Sequence, residues 1–426
     1  MTDPTITELA DAAVATRPLD FLADFASMSR NGATERGGVD RQAATIADGQ
    51  NRNWFRGLVE GHGFTVHYDQ VGNQYCLLEL SPGAPWIAVG SHLDSQPLGG
   101  RFDGAYGVLA GAHAALQVQQ RLHNEAQEAK FNIVVINWFN EEGCRFKPSM
   151  MGSSVYTGKL SAAQALNTTD PAGVSVHEAL QAIGTIGDFE LQVEAYVEIH
   201  IEQGRSLEDR GLTIGLVEST WGANKYEFTV HGEQSHTGAT VIADRHDALL
   251  GASALVVAAR EVALEYSTEE HMVITSCGEF TVFPNSPVVV ASQVNLLVDV
   301  RSTDPEVLAA ADAALHDRVR QIEKMASVTI ERGASHIWGS KQYDESGINL
   351  ARNAAQAVGL EHGVVRTLAG HDSTNMKDIV PTIMLFVPSV EGISHNEGEL
   401  TQDKDMLAGV RMLSEVLHRV VTGEFV

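Results

Sequence analysis

The sequence predicts an α/β fold with a largely parallel sheet, interrupted in its second half by an inserted α+β domain of ferredoxin-like type. Three observations predict it. Short β-branched and apolar runs alternate with helical stretches over the first half of the chain. After about Thr220 the order changes to β-α-β-β-α-β. After Trp338 the first pattern returns.

Taken in order, residues 40–62 read as a helix leading to a Gly-rich turn. Runs 75–80, 86–89, 131–138 and 195–201 are short and apolar, as strands covered on both faces are. The stretch 107–118 between them is helical. In 225–231, Tyr226, Phe228 and Val230 alternate with polar neighbours, which predicts a half-buried strand. Residues 244–266 form an Ala/Leu/Val-rich helix. Strands 272–282 and 292–301 are split by the turn Pro284-Asn285-Ser286-Pro287. A second helix, 304–325, and a last strand, 327–332, complete an insertion of about 110 residues, within the normal domain range. Then 346–358 is helical and 381–387 is an apolar strand. The first domain is therefore expected to be discontinuous, 1–221 with 336–426, and the inserted domain to span 222–335.

A chain of 426 residues exceeds one compact core. Its net charge of −26 argues against nucleic acid and against an anionic membrane surface as partners. The three cysteines, Cys76, Cys144 and Cys277, form no CxxC pair and cannot all be paired within the chain, which fits a reducing compartment. The first twenty residues lack a basic n-region and an apolar h-region, so no signal peptide is expected. No apolar run approaches the ~20 residues that span a bilayer. A cytoplasmic protein is the expectation.

Polar segments fall at the C-terminal ends of the predicted strands, the edge at which open α/β sheets bind ligands. They are Gly90-Ser91-His92-Leu93-Asp94, Gly99-Gly100-Arg101-Phe102-Asp103-Gly104, Asn140-Glu141-Glu142-Gly143, Glu198-Ile199-His200-Ile201-Glu202-Gln203-Gly204 and Gly392-Ile393-Ser394-His395-Asn396. Histidine plus carboxylate is the donor set of hydrolytic zinc, with cobalt, manganese or nickel as alternatives. Two adjacent metals need a bridging carboxylate and terminal ligands on each side. Asp103 can bridge, His92 and His200 can serve one metal, and Glu142 and His395 the other. Asp94 can orient His92 through its second ring nitrogen. Glu141, beside a ligand but on the opposite side of an extended chain, is the natural general base. Cys144 reads as a small buried filler rather than a reactive thiol.

Taken together, GSHLDSQPLGGRFDGAYGVLAG, NWFNEEGCRF, YVEIHIEQG, LAGHDSTNM and VPSVEGISHNEGE resemble the carbamoylase branch of the di-zinc aminoacylase and carboxypeptidase superfamily. That branch includes N-carbamoyl-L-amino acid hydrolase, β-ureidopropionase and allantoate amidohydrolase. The resemblance runs from about Gly32 to the C-terminus. It implies that His92, Asp103, Glu142, His200 and His395 bind two divalent metals, zinc first, with Asp103 bridging and Glu141 as base. Gln203 resembles a substrate-contacting glutamine. His236, in Gln234-Ser235-His236-Thr237-Gly238, resembles a catalytic histidine that reaches the partner subunit's site. Asn285 and Arg301 resemble the residues that hold a substrate carboxylate. His371 lies where the branch has a histidine, and a structural hydrogen bond or a substrate contact both fit it. The inserted domain is expected to act as lid and dimer contact. The implied substrate is a small carbamoyl or ureido carboxylate, with an aminoacylase or dipeptidase as the alternative. The chain departs from the pattern at Gln234-Ser235-His236-Thr237-Gly238 and at Asn396-Glu397-Gly398-Glu399, neither of which removes a ligand or the base.

Overall fold

The computed structural model describes residues 20–426 apart from 269 and 368. The reading of the N-terminus as lacking a signal peptide falls outside the described residues. The chain divides into two units, one built from the described residues up to Glu218 together with Tyr343–Val426, the other Ser219–Gln342.

The first unit is layered around an eight-stranded mixed sheet. Its order is Thr65–Tyr68, Gln74–Leu78, Asn132–Trp138, Trp86–His92, Tyr196–Ile201, Thr382–Val387, Ile214–Thr220, His362–Thr367. The four central strands pair in parallel, and antiparallel pairs flank them. Every residue of Asn132–Trp138 is buried. Its side chains alternate between two cores: Ile133 and Val135 pack on one side, Val134, Ile136 and Trp138 on the other. Both faces being covered is why Ile133–Ile136 is continuously apolar rather than alternating.

The helices Ala105–Glu125 and Asp403–Val421 share the Ile133 side of the core. Local chemistry sets several helix starts. Thr45 caps Ile46–Glu60 by accepting from the Asp48 amide, and Ser175 and Glu178 form a reciprocal capping box at Val176–Ile183.

The second unit carries a four-stranded antiparallel sheet in the order Thr329–Trp338, Gly222–His231, Gln293–Ser302, Val273–Phe283. Taken along the chain this is fourth, first, third, second, a split β-α-β pair. The helices Ala248–Tyr266 and Pro305–Ala326 pack on one face, against Tyr226, Phe228, Val230, Val294, Leu296 and Val298. The unit extends a few residues beyond the expected 222–335 at both ends. The last strand continues to Trp338 instead of stopping at Arg332, and the chain pairs Ser219 with Gln342. Among the described residues no helix is long and apolar enough to cross a membrane.

Candidate metal centre

The parallel strands deliver the first two donors. His92 is the last residue of Trp86–His92 and His200 the penultimate residue of Tyr196–Ile201, and both are buried. Their ring tautomers are fixed from behind. His92 Nδ1 lies 3.0 Å from the Asp94 carbonyl and His200 Nδ1 lies 2.8 Å from the Ile201 carbonyl. A carbonyl only accepts, so each Nδ1 donates and each neutral ring presents the Nε2 lone pair inward. The expected carboxylate of Asp94 stands farther from His92 Nδ1, at 3.6 Å. That carboxylate instead accepts the backbone amides of Glu141 at 3.2 Å and Glu142 at 3.3 Å, which fixes the loop after Asn132–Trp138.

Asp103 sits between the imidazoles, one residue before Gly104 starts the helix Ala105–Glu125. Its Oδ1 is 3.1 Å from His200 Nε2 and 3.5 Å from His92 Nε2. Its Oδ2 is 3.2 Å from His395 Nε2. Glu142 Oε2 is 3.5 Å from the same His395 nitrogen. Two groups of donors result, His92–Asp103–His200 and Asp103–Glu142–His395, and within each group the ligand atoms lie within 4.8 Å of one another. Gly104 makes this closeness sterically feasible. Its φ is +62°, and a Cβ there would lie 2.4 Å from the His92 ring.

Burial and neighbouring charge act strongly here. Glu141 Oε2 lies 3.5 Å from His92 Nε2. Burial pushes the Glu141 carboxyl well above the usual range; His92 pulls it down, while Asp372, Glu142 and Asp94 push it further up. Glu142 is pushed up to about 7 by burial and by the Asp103 carboxylate. For Asp103, burial is outweighed by the imidazoles of His200, His395 and His92 packed against it, which hold it well below the usual range. A cluster of buried carboxylates and inward-facing imidazole lone pairs has the chemistry of a divalent-cation site, so the residues present fit two metals.

The other sequence candidates divide. Gln203 joins the centre: its Nε2 donates to Asp103 Oδ2 at 2.8 Å and to Ser394 Oγ at 3.0 Å, and its buried Oε1 has no partner. His371 is buried beside His200, with ring centroids 4.5 Å apart, and its Nε2 lies 3.0 Å from Thr367 Oγ1. Burial and the neighbouring His200 hold its pKa well below the usual value. His236, Asn285 and Arg301 belong to the second unit. The exposed His236 ring accepts the Gly238 amide at Nδ1, 2.9 Å away, which leaves Nε2 as the donor in the neutral form. Asn285 is exposed, with φ +52°. Arg301 Nε donates to Asp299 at 2.7 Å, and its guanidinium lies 4.9 Å over the Trp221 ring.

Sequence reasoning missed two residues of the centre. Gln96 donates its backbone N–H and its Nε2 to the two oxygens of Glu142, at 3.0 and 2.8 Å. Glu399 accepts the amides of Phe102 and Asp103. The signal for Glu399 was its place four residues after His395, within a stretch noticed only for its departure from the common pattern.

The family model for peptidase family M20/M25/M40 matches residues 88–419. A hydrolase of Mycolicibacterium smegmatis is 54% identical over 414 residues, 96% of this chain and 94% of that protein. An N-carbamoyl-L-amino-acid amidohydrolase of Rhizobium meliloti is 34% identical over 390 residues, 91% of this chain and 92% of that protein. Among solved structures, an amidase of the hydantoinase/carbamoylase family from Burkholderia vietnamiensis superposes with a TM-score of 0.88 at 34% identity, covering 95% of this chain and 97% of that one.

Proposed function

The chain belongs to peptidase family M20/M25/M40, and from that premise we propose that it is a metal-dependent amidohydrolase cleaving the carbamoyl C–N bond of an N-carbamoyl amino acid or a closely related ureido acid. The products are the amino acid, ammonia and carbon dioxide. The observation that carries the reading is the position of Asp103. One oxygen faces His92 and His200, the other faces His395 beside Glu142, and Glu141 stands next to the first group.

His92, Asp103 and His200 would hold one divalent metal, and Asp103, Glu142 and His395 a second. Zinc is the first choice, with manganese, cobalt or nickel as alternatives. When bound, the pair supplies Lewis acidity that acidifies water and polarises a carbonyl. Glu141 takes the proton of the attacking water and returns it to the leaving nitrogen. A buried carboxylate whose proton affinity is raised suits both halves of that task. His236 Nε2–H is assigned to the developing oxyanion. Asn285 and Arg301 are assigned to the substrate carboxylate, with the inserted unit as lid and Gln203 and His371 as further contacts.

We assign a homodimer through the inserted unit, whose helix Ala248–Tyr266 exposes Leu249, Leu250, Val257 and Leu264. A cytoplasmic location is assigned from the three free cysteines.

The test is Glu141→Gln. The variant should bind metal as the wild type does and lose at least ~10³-fold in kcat, within the range of a general acid–base contribution. Substantial residual turnover in a metal-replete variant would remove Glu141 as the base.

A further inference from the structure

The two donor groups differ in how they are anchored. His92 and His200 sit on strands of the sheet, fixed by its hydrogen-bond ladder. His395 has no strand. It lies in the loop after Thr382–Val387, with φ +53° and a half-exposed side chain. Asp103 likewise lies in a loop, before its helix. Something must hold these two loops in register if Asp103 Oδ2, Glu142 and His395 are to meet at one point.

The buried side chain of Glu399 spans that gap. Its Oε1 accepts the backbone amides of Phe102 and Asp103, each at 3.0 Å. Its Oε2 accepts the hydroxyl of Ser394, the neighbour of His395, at 2.7 Å. Ser394 Oγ is in turn 3.3 Å from Asp103 Oδ2. A tight turn brings Glu399 back beneath His395: its own amide donates to the Asn396 carbonyl at 3.0 Å, and the Gly398 amide donates to Asn396 Oδ1 at 2.8 Å. The facing loop is shaped to admit the carboxylate. A Cβ on Gly100 would lie 2.0 Å from Glu399 Oε1, so only glycine fits there. One carboxylate thus satisfies three donors drawn from both loops, and such charge-assisted bonds are the strong ones.

We propose that Glu399 is the positioning residue of the second metal position, clamping the Asp103 loop to the His395 loop so that Asp103 Oδ2, Glu142 and His395 converge. The inference rests on the two-metal reading above. The first position depends on it less, because His92 and His200 are held by the sheet. Gln at 399 keeps an oxygen for the two amides; Ala keeps nothing.

The experiment is equilibrium metal binding by the full chain. Zn2+ stoichiometry and affinity are measured for the wild type, Glu399→Ala, Glu399→Gln and Ser394→Ala, with Co2+ absorption as a second readout. The wild type should take two equivalents. Glu399→Ala should keep one tight equivalent and bind the second at least ~10-fold more weakly. Glu399→Gln should recover part of that loss, and Ser394→Ala should show a smaller loss at the same position. A wild type that binds two ions beside a Glu399→Ala variant that binds both unchanged, or loses both in parallel, would overturn the proposal. A wild type that binds fewer than two would instead sink the two-metal reading. If Glu399→Ala does not fold, the Gln and Ser394 variants decide: unchanged second-site affinity in both would count against the clamp.

Discussion

The side-chain amide of Gln203 donates to Asp103 Oδ2 at 2.8 Å, on the oxygen that faces His395. The sequence had suggested a substrate-contacting glutamine, and the hydrogen bond adds a duty of orienting the shared carboxylate. Gln203→Ala should therefore weaken metal binding as well as turnover, by ~10-fold in affinity, the effect typical of losing a group that orients a ligand. Metal titration alongside kcat and KM checks it. A variant with full metal affinity and only a raised KM would restrict Gln203 to substrate contact.

Arg301 is the penultimate residue of the strand Gln293–Ser302, on the face opposite Val294, Leu296 and Val298. Asp299 and Trp221 fix its guanidinium in one orientation. A preset guanidinium fork is what bidentate recognition of a carboxylate needs, and lysine keeps the charge without the fork. Arg301→Lys should fold and bind metal yet lose at least ~10-fold in kcat/KM, about 1.4 kcal/mol. The loss should shrink on a substrate whose carboxylate is replaced by an amide. Equal losses on both would mean that Arg301 does not read the carboxylate.

Away from the centre, Glu415 links the helices Ala105–Glu125 and Asp403–Val421. Arg121 donates to one of its oxygens at 2.7 Å and Arg419 to the other at 2.8 Å. Burial works against its charge, but the two arginines outweigh burial and hold its pKa below the usual range. A depressed folded-state pKa stabilises the fold above the unfolded value of about 4.3, and that stability is lost as pH falls through the folded pKa. Arg121 is partly solvated, so the contribution is modest, about 1 kcal/mol at neutral pH. Glu415→Gln should lower the urea midpoint at pH 7, and its difference from wild type should shrink as pH falls below the unfolded value of about 4.3 and close once pH has passed below the lower folded pKa. A difference independent of pH would show that the ion pairs contribute nothing.

What could be read from the sequence follows from where the determinants lie. The central strands announce themselves because both faces are buried, as in Asn132–Trp138. His92 and His200 stand out because each lies at the end of such a run. The outer strands Thr65–Tyr68, Ile214–Thr220 and His362–Thr367 escaped notice. Thr65–Tyr68 is four residues and half exposed, and Ile214–Thr220 carries a glycine and little alternation. The role of Glu399 was hard to read for a different reason, although its place four residues after His395 was a signal. Two of its three donors are backbone amides, one of them 296 residues earlier, and a backbone donor leaves no mark in a sequence. Gln96 grips Glu142 from 46 positions away, again partly through its backbone. Asp94 shows the converse: its proximity to His92 was legible, but its carboxylate turned to the amides of Glu141 and Glu142 instead.

The most direct test of the central claim is ammonia release by metal-depleted protein titrated with Zn2+, on an N-carbamoyl amino acid, a β-ureido acid and allantoate, against an N-acetyl amino acid and a dipeptide measured by amine release. The account predicts no turnover in the metal-free chain, activity that rises to a plateau at two equivalents per chain, and ammonia from at least one ureido substrate with kcat/KM well above that for the acetyl and peptide substrates. Cleavage of the acetylated or peptide substrate with no ammonia from any ureido substrate, or full activity without metal, would contradict it.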